Sequence, residues 1–129
     1  MPMLPGPKSL PAEWGPRLSE DGPGWEETDA ALRVFAAEVA AMGAKSLVLV
    51  IPDKAHIDPE AAAAMTRALG DARYDPKRPA RRMLASASRA GLAVVDPAPA
   101  LEAAHGRAGQ ALYFERDWHT NGNLSLIHI

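Results

Sequence analysis

Two short apolar runs constrain this chain more than anything else in it. "KSLVLVIP" and "GLAVVD" each hold valine and leucine without a polar break, at Leu47 to Ile51 and at Leu92 to Val95. Runs that short, rich in β-branched residues and closed by proline or aspartate, suit strands buried on both faces of a parallel sheet. Between them lie two helical patterns. Strand, helix and strand in that order predict a right-handed parallel crossover, so the expected class is α/β, a parallel sheet with helices on both faces. Two strands alone leave edges and faces open, and the chain therefore reads as half of a domain.

The helical patterns have their own punctuation. From Thr28, expected as an N-cap behind Glu26 and Glu27, the apolar residues Leu32, Phe35, Val39 and Met42 recur at helical spacing until Gly43. Asp58, Pro59 and Glu60 give an N-cap, a proline at the first helical position and an acidic first turn, and "AAAAMTRALG" runs to a glycine stop. After "YDPKRP" a helix from Pro79 turns Met83 and Leu84 inward and ends at Gly91. "PAPALEAAH" reads as a short helix after a loop, and residues 1–24 as a Pro/Gly-rich segment outside regular structure.

Fourteen basic and sixteen acidic residues give a net charge of -2, with no run of five or more like charges, so no nucleic-acid surface is expected. The absence of cysteine removes disulfides and thiolate metal sites. No stretch is apolar enough to span a bilayer, and the opening "MPMLPGPKSLP" lacks the continuous apolar core of a signal peptide.

The last residues carry the chemistry. In "YFERDWHTN", Asp117 and His119 stand two apart, and in an extended loop both side chains point the same way. A carboxylate beside an imidazole fixes its tautomer and stabilises its protonated form, which a general base needs in order to activate a hydroxyl. The same spacing also serves N-capping, surface ion pairs and metal binding. Metal binding needs a third ligand, and His56 and His105 lie in separate segments without ligand spacing, so no metal or cofactor is expected. Lys54 and His56 are expected in a solvated loop, and Arg81, Arg82 and Arg89 on a solvated helix face. The closing "LSLIHI" is what CTGTCTCTTATACACATC encodes, a string resembling a transposase mosaic end; residues 124–129 are read as adapter-derived and set aside.

"LVLVIPDKAHIDPE", "YDPKRPARRML", "GLAVVDPAPAL" and "LYFERDWHTN" together resemble the C-terminal half of the SGNH, or GDSL-type, hydrolase family across residues 25–123. The resemblance implies a flavodoxin-like α/β domain and a serine esterase acting on an acylated carbohydrate or lipid ester. It makes Asp117 and His119 the acid and base of a Ser-His-Asp triad, and it implies a periplasmic or membrane-attached setting. Gly122 follows the histidine earlier than the family pattern has it, which leaves the final helix of that pattern unassigned. Ser9, Ser19, Ser46, Ser86 and Ser88 all stand outside a Gly-Asp-Ser turn, so the nucleophile is expected outside these residues and the polypeptide alone is expected to be inactive.

Two other readings stay open. "VIPDK" with the Asp-x-His pair also resembles alginate O-acetyltransferase-like relatives, in which the serine follows the Asp/His block; the long link between strands favours the hydrolase order. The third is a non-catalytic α/β binding module whose Asp117 and His119 tie down a loop.

Overall fold

The computed structural model describes residues 24–70, 74–105, 107, 112 and 113. Helix α1 spans Trp25–Ala41, strand β1 Leu47–Leu49, helix α2 Lys54–Ile57, helix α3 Pro59–Leu69, helix α4 Arg78–Arg89, strand β2 Ala93–Val95 and helix α5 Ala98–His105. The strands pair in parallel with Leu47 opposite Ala93, Val48 opposite Val94 and Leu49 opposite Val95. An α/β arrangement with a parallel sheet flanked by helices is therefore the observed class, as the two apolar runs predict.

Sequence punctuation sets the helix limits. The Asp58 carboxylate accepts the Glu60 amide at 2.9 Å, Pro59 opens α3, and Gly70 closes it in the left-handed region at φ 63, where a side chain would be strained. α4 hands over to β2 through Gly91 at φ 84, with the Leu92 amide donating to the Ala87 carbonyl.

Three expectations need correction. The strands are not buried on both faces: Leu47 is 66% exposed, and Leu49, Ile51 and Val95 are also exposed. α4 packs on β2. Thr28 lies inside α1 and does not cap it; the helix starts after Gly24, and the Thr28 hydroxyl donates backward to the Gly24 carbonyl at 2.8 Å. The α1 stripe is only partly used, with Leu32 and Val39 half-buried but Phe35 and Met42 exposed.

α1 is instead joined to α4 by polar contacts. Asp29 accepts from Arg82 at 3.1 and 3.4 Å, the Arg82 guanidinium lies 5.0 Å from the Trp25 ring centroid, and Arg89 approaches Asp29 at 3.7 Å. The Ser86 hydroxyl first, and Arg82 after it, hold the Asp29 carboxyl below the usual carboxylate range. Of the three arginines expected on a solvated face, Arg81 and Arg89 are exposed as expected, although Arg81 pairs with Asp75, and Arg82 is half-buried.

Candidate functional site

In a parallel sheet, the chemistry belongs at the carboxyl ends of the strands. β1 leaves its ladder at Leu49 and runs through Pro52 to Asp53, whose carboxylate accepts the His56 amide at 3.0 Å and so starts α2. β2 runs into Asp96, which accepts the Ala98 amide at 3.0 Å and so starts α5. The two acidic caps turn the chain at the same end of the sheet.

α2 and α5 meet there over an apolar cluster of Ile57, Ala98, Leu101, Leu112 and Tyr113. Leu101 and Leu112 are wholly enclosed. The Tyr113 hydroxyl donates 2.6 Å to the Pro52 carbonyl in a buried bond across the cluster. Pro52 lies beyond the last ladder residue, so the phenol satisfies a carbonyl that the sheet does not. Burial, and next the nearby Asp53 charge, push the Tyr113 phenol up to about 12; the same causes raise Tyr74, with Asp75 adding to them. Desolvation also raises the Asp53 carboxyl, against the lowering effect of the His56 amide.

His56 is not in a solvated loop. It sits in α2 at 9% exposure, with Nε2 3.9 Å from Glu102 Oε1 on α5, while Lys77 Nζ reaches the same oxygen at 3.0 Å. His105 on α5 faces back to Asp58 Oδ1 at 3.8 Å. The Nδ1 atoms of both histidines are buried without a hydrogen-bond partner. What sequence reasoning missed here is α2 itself; the available signal was Asp53, a capping residue directly after the apolar run. Among the described residues no group of three His, Cys, Asp or Glu side chains is arranged to hold a metal ion. No helix among them is long and apolar enough to cross a membrane.

Asp117 and His119 lie outside the described residues, as do the segments 1–23 and 124–129. Of the serines weighed as nucleophiles, Ser86 is buried and accepts from Arg82, which removes it from that role.

No curated protein and no solved structure matches the chain at a significant level. Comparison with known families matches residues 14–123 to one described as the SGNH hydrolase-like domain of the acetyltransferase AlgX. That span includes both strands, every described helix and the Asp117/His119 segment. The chain belongs to the SGNH hydrolase-like domain family of the acetyltransferase AlgX.

Proposed function

We propose that this chain carries the acid and base of an acyl-transfer site, in which Asp117 orients His119 and stabilises its protonated ring. His119 takes the proton from a serine hydroxyl as the serine oxygen bonds to an ester carbonyl, and returns it to the departing alcohol. An acceptor hydroxyl then attacks the acyl-enzyme, His119 again moving the proton, and the serine is released. The substrate on this reading is an acylated carbohydrate or lipid ester, with acetyl passing to a polysaccharide hydroxyl. The observation that carries the reading is the family match, whose description names an acetyltransferase and whose span takes in the Asp-x-His pair. It favours the acetyltransferase order over the hydrolase order that the link between strands suggests, although the same acyl-enzyme yields an esterase if water replaces the acceptor.

The described geometry adds support. Tyr113 is docked at the carboxyl end of β1, and Asp117 follows it by four residues, a length of chain that spans at most about 14 Å. Neither a suitable serine turn nor its oxyanion donors stand among these residues, and loss of one such donor alone costs about a hundredfold or more. The polypeptide by itself is therefore expected to be inactive toward 4-nitrophenyl acetate; turnover abolished by His119→Ala would overturn that. The pair is tested by imidazole-detected NMR titration: a carboxylate neighbour raises the His119 midpoint, so Asp117→Asn should lower it by about one unit. Equal midpoints in the two proteins would remove the basis for the reading and favour a non-catalytic binding module.

A further inference from the structure

The sheet keeps one apolar face exposed. Leu47, Leu49 and Ile51 alternate along β1 and its continuation with the half-buried Val48 and Val50, and the register sets Ala93 and Val95 of β2 beside Leu47 and Leu49 on the same side. Leu47, Leu49, Ile51 and Val95 each keep between 41% and 66% of their surface exposed, and together they make one aliphatic patch. We propose that residues 14–18 of this chain, "WGPRL", dock across that patch as an extended strap anchored by Trp14. The proposal is independent of the acyl-transfer reading.

The strap matches the patch in pattern and in length. In an extended chain Trp14, Pro16 and Leu18 point to one side and Gly15, Arg17 and Ser19 to the other, an apolar face backed by a solvated one. From Trp14 to Leu18 such a chain runs about 13 Å, the same as a strand from Leu47 to Ile51. Pro16 lacks an amide hydrogen, which suits the segment to lying on a sheet face and not to joining the ladder. An indole buries about 150–250 Å², and the patch, four side chains each partly covered already, offers on the order of 300 Å². A second copy of this chain is a poorer occupant, because a stable dimer takes roughly 600 Å² or more from each partner.

The strap is also long enough to arrive. α1 leads into β1 and α4 into β2 through short turns, so both helices start at the carboxyl end of the sheet, and the Trp25 ring beside Arg82 holds the head of α1 against the first turns of α4. Gly24 turns the incoming chain there at φ 104. The ten residues from Trp14 to Gly24 span at most about 33–36 Å, whereas a path past the helix layer and the sheet needs roughly 20 Å. The family match opens at residue 14, so the anchoring tryptophan lies inside the matched span.

The test uses the full 129-residue chain. Nuclear Overhauser contacts are expected from the Trp14 indole to the methyl groups of Leu49 and Val95. In urea melts Trp14→Ala and Leu49→Ala should each raise the unfolding constant, and the double variant should fall short of the product of the two effects by about threefold or more. Leu49 is 45% exposed, so its truncation spares the packed side of the sheet. A shortfall below about threefold, or an indole without contact to either methyl group, would overturn the proposal. So would a dimer in sedimentation equilibrium that Leu49→Ala dissociates and Trp14→Ala leaves intact, since the occupant is then a second copy. Ester cleavage and the His119 midpoint do not enter these measurements, so their failure leaves the acyl-transfer reading standing.

Discussion

Replacing Tyr113 by phenylalanine removes one oxygen and leaves a 4%-exposed ring in place. That oxygen donates 2.6 Å to the Pro52 carbonyl, beyond the end of the β1 ladder. A neutral hydrogen bond nets about 1 kcal/mol, but here the acceptor stays behind in a buried setting, which puts the expected cost at about 1–3 kcal/mol. For a domain of this length each kcal/mol moves Tm by about 3–5 °C, so Tyr113→Phe should lower Tm by about 3–15 °C and shift the urea midpoint without changing the slope. The alkaline arm adds a second readout. A phenol whose pKa is raised in the folded state contributes stability that is fully present below pH 10 and is lost as pH climbs through about 12. Tyr113→Phe lacks that contribution, so its stability should fall less steeply over this window than the wild type's, Tyr74 supplying the remaining slope. A loss under about 0.3 kcal/mol at neutral pH, together with an unchanged alkaline slope, would refute the assignment of Tyr113 as the partner of Pro52.

Leu101→Ala, at a wholly enclosed position, should cost about 2–5 kcal/mol in urea melts; a cost below 1 would mean that the α2–α5 cluster collapses around the gap. Asp58→Ala should cost about 1 kcal/mol by removing the α3 cap, and Asp58→Asn should recover most of it, measured by the same melts. Arg82→Ala should lower hydrogen-exchange protection in α1 by about 1–2 kcal/mol while sparing the middle of α4, since it deletes the contacts to Asp29 and Trp25. The Asp53 carboxyl is raised, chiefly by desolvation, so the folded state prefers its protonated form and loses stability as pH rises through the folded pKa. Asp53→Asn keeps a capping oxygen without that loss, and stability profiles from pH 3 to 8 should show it gaining on wild type as pH rises.

What the sequence made legible was whatever local chemistry decides. Asp58-Pro59 and Gly70 bracket α3 because capping and left-handed backbone act within a turn. The two strands followed from unbroken apolar composition. The errors came where tertiary context decides: a five-residue apolar run carries no mark of whether a second layer will cover it, so Leu47 and Leu49 were expected inside. Arg82 and His56 went unrecognised because their partners, Asp29 and Glu102, lie far away along the chain. For the candidate site, sequence supplied the Asp-x-His pair and the end of the sheet at which to look; the His56, Lys77 and Glu102 grouping needed α2 and α5 to be brought together.

The register of the sheet also fixes an order of assembly. Leu47 meets Ala93 across 46 intervening steps of chain, whereas the turns of α3 and α4 close within four residues. Closing a long loop costs entropy before any strand contact returns it, and parallel pairing waits on that closure. The helices should therefore form first and the β1–β2 ladder late. During that interval "LVLVI" is an unpaired apolar strand in water, the kind of segment that templates misassembly between chains. Lys45 before it and Asp53 and Lys54 after it flank the run with charge, a placement that opposes edge-to-edge association while the ladder is still open.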